Sequence, residues 1–250
     1  MTASPVCIFD GTHWVPGPLA KGPFPGLHGG VVGGLLAAEM EKTSRENDGG
    51  MGLQMSLSLL RPTPMEPVTV FVRILRQGRR SLQLSSELVA GGKTCAVASA
   101  LFLTPEMLPF VEEAPAERVP VAGKDFHVGR RMDQPWFADA CEMRREEGGR
   151  IWMRHLTPVV EDMGPLTRVL SLADWATGLS RPAWVDGEKV VFPNPEISIH
   201  LHRPPAGAWL GVDSQPFWNA SGLGITASDL YDEAGYLGRA TQPVVLAVME

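Results

Sequence analysis

The chain has 250 residues and a mass of 27.1 kDa, enough for one large domain or two small ones. With 44% hydrophobic and 20% charged residues it is too apolar for a disordered chain and able to bury a sizeable core. A formal net charge of -6 argues against a general binder of nucleic acid or of anionic membrane, whose footprint is basic. Met1 to Ala20 lack a basic start followed by an apolar run, so no signal peptide is expected. The weakly polar stretch Gly26–Ala38 is far short of the ~20 residues that a spanning helix needs. Cys7, Cys95 and Cys141 are odd in number and have neither zinc nor redox spacing, which reads as free thiols in a reducing cytoplasm.

The predicted elements fall into two series. Phe9–Thr12 to Val15–Gly17 reads as a short hairpin. From Gly30, the spacing of Val32, Leu35, Leu36 and Met40 predicts a helix that Gly49–Gly50 stops. Leu53, Met55, Leu57 and Leu59 then alternate with Gln54, Ser56 and Ser58, a half-buried strand ending at Arg61–Pro62. Strands over Val68–Ile74, Leu82–Leu88 and Thr94–Leu103 complete an antiparallel meander. Residues 105–125, rich in Pro, Ala, Glu and Val without periodicity, read as a linker between an N-terminal unit (1–104) and a C-terminal unit (126–250).

In the second series, Trp136–Arg145 and Ile151–Leu156 form a hairpin. A helix follows from Pro165 to about Gly178, with Pro182 beyond it. Strands over Ile197–Leu201, Trp209–Val212, Leu223–Tyr231 and Tyr236–Leu246 complete the order. Met55–Pro62 aligns with Ile197–Pro204, and Gly92–Leu103 with Gly235–Leu246, which indicates a tandem duplication.

A helix wrapped by an antiparallel sheet, present twice, resembles a double hotdog of the α+β class. His28-Gly29-Gly30-Val31-Val32-Gly33-Gly34, Leu60-Arg61-Pro62 and Ile74–Arg79 resemble the first half of acyl-CoA thioesterases of the thioesterase II type. Leu172-Ala173-Asp174, Phe192–Glu196, His202-Arg203-Pro204, Trp209 and Gly235–Gln242 resemble the second half. The resemblance implies hydrolysis of an acyl-CoA thioester by a water held between an aspartate, a hydroxyl residue and a glutamine. These fall on Asp174, Asn194 and Gln242. Asn194 departs from the family's hydroxyl, although an amide also holds water. The resemblance implies no metal or redox cofactor, with CoA entering as part of the substrate. The expected partner is a small-molecule acyl-CoA, with no nucleic acid or membrane, and a homo-oligomer is compatible with the pattern.

From the residues alone, Asp174 shares the apolar helix face of Leu166 and Leu170 and lies near the helix end. Burial and the helix dipole are both expected to raise its pKa and make it a base. Gln242 is polar in an apolar strand. Val32 and Ser99 stand at the repeat offsets from Asp174 and Gln242, so one competent site per chain is expected. The amides of Gly29 and Gly30 beside His28 could bind a carbonyl oxygen or an anion, or the glycines could only allow close packing. Arg73, Arg76, Arg79 and Arg80 gather on one hairpin, where Arg76 and Arg79 are candidates for the CoA phosphates, or for a solvated face. Trp175, Trp209 and Trp218 are candidates for an acyl pocket or for core. His200 and His202 lack a third ligand at metal spacing. No Gly-x-Ser-x-Gly elbow surrounds Ser85, Ser171 or Ser180. A non-catalytic acyl-CoA-binding double hotdog is the rival reading. An enoyl-thioester hydratase ranks last, because it calls for an Asp–His pair at a helix start and Asp174 has no histidine neighbour in sequence.

Overall fold

The computed structural model describes residues 4–112, 117–128, 134–180 and 190–248; Pro182 lies outside them. The first half runs β1 (Cys7–Phe9), β2 (Trp14–Pro16), α1 (Gly29–Glu46), β3 (Met51–Leu59), β4 (Val68–Gln77), β5 (Ser81–Ala90) and β6 (Lys93–Leu103). The short β7 (Lys124–Asp125) closes the expected linker and pairs with β8 (Cys141–Arg145). Then come β9 (Ile151–His155), α2 (Pro165–Ala173), α3 (Trp175–Leu179), β10 (Val190–Val191), β11 (Glu196–Leu201), β12 (Leu210–Trp218), β13 (Leu223–Asp232), β14 (Gly235–Val245) and β15 (Ala247–Val248).

Thirteen strands form one sheet in the order β1-β2-β4-β5-β6-β3-β11-β14-β13-β12-β9-β8-β7, every neighbouring pair antiparallel. The order reads alike from either side of the β3–β11 junction. Residues equated by the sequence repeat meet there: Ser56 faces Ser198, with their hydroxyls 2.8 Å apart. The duplication is therefore a pseudo-twofold in space.

The 142-residue offset that brings Ser56 to Ser198 holds through the last strand. Ser56 pairs with Ser99 as Ser198 pairs with Thr241, and Leu84 with Ala100 as Thr226 with Gln242. Ala100, not Ser99, is thus the counterpart of Gln242. The irregularities at Leu88/Val89 and Leu230/Tyr231 fall at equivalent places in the two ladders, so they leave that offset unchanged. The segment expected as a strand over Trp209–Val212 runs on to Trp218. Pro216 is tolerated because β9 pairs with β12 only at Leu210–Val212, leaving that edge without need of its N–H.

Period-two alternation buries Leu82, Leu84 and Leu88 of β5 and Met55 and Leu57 of β3 under the helices. The two central helices run antiparallel and very close. A Cβ on Gly30 would lie 2.2 Å from the Ser171 carbonyl oxygen, and one on Gly33 2.9 Å from both Leu57 and Leu170 side chains. The glycine-rich start of α1 thus serves helix–helix contact. Gly164 at the N-cap of α2 offers no side chain, and Pro165 follows at the first position. Glu41 of α1 supplies the cap, accepting the N–H of Leu166 (2.7 Å), the N–H of Thr167 (3.2 Å) and the Thr167 hydroxyl (2.6 Å).

The two Arg-Pro strand ends differ. Arg203 grips buried Asp232 with both guanidinium nitrogens (2.5 and 2.7 Å), whereas Arg61 is exposed. Cys7, Cys95 and Cys141 are buried and unbridged. Among the described residues no helix is long and apolar enough to cross a membrane.

Candidate active site

The expected helix over 165–178 is broken at Asp174, which ends α2 and opens α3 in helical conformation. Its side chain leaves its own helix and reaches the start of α1. Because the helices run antiparallel, a carboxylate at the end of one meets the amide end of the other. There His28 is the N-cap, in extended conformation, and its Nδ1 lies 3.0 Å from Asp174 Oδ2. The two side chains are each 6% exposed. Gly29 is a glycine for this reason: a Cβ would stand 2.8 and 3.0 Å from the two carboxylate oxygens.

Nδ1 also lies 3.0 Å from the Gly30 N–H. A neutral imidazole nitrogen is either donor or acceptor, and a lone pair facing a carboxylate oxygen at 3.0 Å would be repelled. The proton therefore sits on Nδ1 and is donated to Asp174, while the Gly30 N–H turns to the carboxylate as well. Nε2 is then the lone-pair nitrogen. No hydrogen bond to a described residue engages it.

Burial pushes the Asp174 carboxyl up, but hydrogen bonds from His28, then Asn194 and the Gly30 N–H, outweigh it and hold the group below the usual carboxylate value. The expected raised pKa is thereby corrected. The donors that decide the sign come from the other half of the chain and from the strand region. The dipole argument also inverts, since the carboxylate faces the positive end of the longer helix.

Asn194 donates Nδ2 to Asp174 Oδ1 at 3.0 Å, so it sits at the carboxylate. Gln242, wholly buried, stands behind Asp174. Its Oε1 accepts the N–H (3.1 Å) and hydroxyl (2.8 Å) of Thr177, and its Nε2 donates to the Asp174 backbone carbonyl at 3.3 Å. Its contacts fix the first turn of α3 instead of reaching the carboxylate. Thr177, three positions after Asp174 and so on the same helix face, is a partner the sequence reading missed despite that spacing.

Aromatic rings pack around the pair. Trp175 lies 4.3 Å from the His28 ring and Phe137 4.9 Å, centroid to centroid; Phe137 and Trp175 stack at 5.9 Å. Trp136 meets Trp175 edge-on at 5.6 Å. Beyond Phe137, His155 Nε2 meets Ser171 Oγ at 2.9 Å. That hydroxyl donates to the Thr167 carbonyl, so it accepts from His155. Ser171 is wholly buried and bound in this way, a strut of α2 and not a nucleophile.

The candidate arginines lie elsewhere. Gln77, at the end of β4, bonds the Asn47 carbonyl at the C-cap of α1. Arg76 and Arg79 flank that end, whereas His28 marks the other, and an 18-residue helix spans roughly 27 Å. Arg76 and Arg79 therefore stand apart from His28, Gly29 and Gly30. Arg80 pairs with Glu106 at 2.7 Å. Trp209 lies under the guanidinium groups of Arg144 and Arg154. A cavity of 230 Å³ opens between the β1–β2 hairpin, α1 and residues 160–162, and one of 50 Å³ lies between α3 and β12. Neither is lined by His28 or Asp174. No metal-binding cluster occurs among the described residues.

The comparisons with known proteins agree with this architecture. Residues 20–103 match the acyl-CoA thioesterase N-terminal domain and residues 105–246 the acyl-CoA thioesterase C-terminal domain. Among solved structures, a hot dog fold protein of unknown function from Alicyclobacillus acidocaldarius superposes with a TM-score of 0.72 at 15% identity, covering 98% of this chain and 96% of that one. A tesB protein of Mycobacterium avium subsp. paratuberculosis gives 0.68 at 18% identity, covering 94% and 93%. An acyl-CoA thioesterase II of Mycobacterium marinum gives 0.65 at 15%, covering 90% and 91%. A search of curated protein sequences returns no significant match. With its helix-wrapped sheet present twice around one pseudo-twofold, the chain belongs to the acyl-CoA thioesterase family, as a tandem of that family's N-terminal and C-terminal domains.

Proposed function

We propose that the protein hydrolyses acyl-CoA thioesters and that His28 and Asp174 act together as the base. The observation that carries this reading is the buried 3.0 Å contact between His28 Nδ1 and Asp174 Oδ2 at the amide end of α1. Asp174 holds the proton on Nδ1 and stabilises the imidazolium formed during the reaction. Nε2 takes a proton from water as the water oxygen attacks the thioester carbon. The carbon–sulfur bond then breaks, and the thiolate leaves with the proton from Nε2, giving free acid and CoA. Asn194 orients the carboxylate, and Gln242 with Thr177 fixes the backbone that carries it. This revises the expectation that Asp174 alone activates the water, because a carboxylate held low by three donors is a weak base. The reading needs no metal or redox cofactor, and places the protein where acyl-CoA is met, in the cytoplasm.

The same contact favours a second reading. An Asp–His pair at a helix start is what hydration of an enoyl thioester calls for, and the absence of a neighbouring histidine in sequence is made good in space by His28. Two assays on the wild-type protein separate the readings: free thiol released from a panel of saturated acyl-CoAs, and loss of the conjugated enoyl absorbance from the matching enoyl-CoAs. Thiol release with the enoyl chromophore intact supports the thioesterase. Loss of the chromophore without thiol supports the hydratase. Tight binding of acyl-CoA with neither reaction supports a non-catalytic binding protein.

A further inference from the structure

The indole of Trp175 follows Asp174 directly and packs against His28 at 4.3 Å between centroids. The residue is only 5% exposed, yet its Nε1–H has no hydrogen-bond partner. An indole nitrogen donates and never accepts. The rings of Phe137, Trp136 and His28 pack against the indole. A buried donor left unmade is costly, and a phenylalanine would fill most of the space without that cost. A second donor follows His28 in the chain. In the first turn of α1, Val31 and Val32 give their N–H groups to the His28 carbonyl and Gly30 gives its own to the pair, which leaves the Gly29 N–H without an acceptor among the described residues.

We propose that the Trp175 Nε1–H, with the Gly29 N–H, binds the carbonyl oxygen of the thioester. One uncommitted donor in the ring packed on His28, another on the residue that follows it, and the uncommitted imidazole nitrogen match what addition to a carbonyl requires: a base for the attacking water and two hydrogen bonds for the oxygen that becomes negative. The ligand group must be a strong acceptor with two lone pairs, which a thioester oxygen is; a thiol sulfur accepts only weakly and an alkyl chain not at all. This deepens the thioesterase reading and rests on it for the kinetic test, while the binding test stands apart from turnover.

Trp175→Phe is expected to lower kcat about 10²–10³-fold, the usual cost of one oxyanion donor, with KM within threefold and a melting temperature equal to or above wild type. Unchanged kcat, or a loss of activity that tracks a lower melting temperature, overturns the proposal. The wild-type protein provides the second measurement. The indole ¹⁵N–¹H resonance of Trp175, assigned by its disappearance in Trp175→Phe or in Trp175→Leu, should move downfield on saturation with an acyl-CoA of the panel. It should stay in place with the S-alkyl-CoA thioether of equal length, which lacks the oxygen. A shift with both compounds, or with no acyl-CoA of the panel, overturns the assignment. A shift with acyl-CoA but no thiol release leaves the donor in place and refutes hydrolysis instead.

Discussion

Glu41 does at the start of α2 what Asp174 does at the start of α1: each carboxylate leaves its own helix and takes amide hydrogens from the first turn of the other. The chemistry then diverges. Glu41 is saturated by two amides and the Thr167 hydroxyl, with no imidazole, and burial raises its pKa. Asp174 faces His28. Ala38, which stands as far beyond His28 as Asp174 beyond Gly164, brings no carboxylate to α1. The duplication thus yields one dyad and one structural cap.

Glu41→Ala should therefore lower stability by about 1–3 kcal/mol through the lost cap and the amides left unpaired, while kcat stays within threefold. Asp174→Asn should do the reverse, with thiol release down by about 10²–10⁴ and a smaller change in stability. Urea melts and thiol assays on the same preparations check both.

The two glycines after His28 should fail differently. In Gly29→Ala the new methyl meets the carboxylate oxygens, the ends of a side chain that can swing away. The protein should fold and lose at least about tenfold in kcat, because small misplacement of a base is costly. In Gly30→Ala the methyl meets the Ser171 backbone at 2.2 Å, so the helices must separate, at about 1–3 kcal/mol or more. Circular dichroism melts beside activity separate the cases.

Arg76→Ala with Arg79→Ala should leave KM for acyl-CoA within threefold, since both lie at the far end of α1 from the dyad. A tenfold rise in KM would restore them as phosphate contacts.

His155 gives a pH dependence of stability. Burial holds its imidazole down, from 6.5 to about 4, so the native ring stays neutral where the unfolded ring takes a proton. Between those values the unfolded chain binds more protons, and stability falls as the pH drops through the window. The difference between wild type and His155→Gln should shrink on the order of 1–3 kcal/mol from pH 7 to pH 4.5, measured by urea unfolding at each pH.

Most elements were legible because their causes are local. Alternation in Leu53–Leu59, the glycine pairs after α1 and β5, and Pro165 at the start of α2 each act within a few residues. The duplication was legible because Ser56 and Ser198 lie in the best-kept strand pair. The dyad was not, since its members belong to different halves and meet only when the helices pack antiparallel. The sign of the Asp174 shift went astray for the same reason: burial could be read from the helix face, but His28 and Asn194 could not. The one-residue slip at Gln242 came from matching the turn glycines Gly92 and Gly235 to each other, whereas the ladders equate Gly235 with Lys93.

The central claim is that His28 and Asp174 work as one base, and a double-variant cycle on thiol release tests it most directly. His28→Gln and Asp174→Asn should each lower kcat/KM by about 10²–10⁴, and the double variant should be no worse than the weaker single, because a unit once broken cannot be broken again. Near wild-type activity in His28→Gln, or losses that multiply in the double variant, would contradict the account.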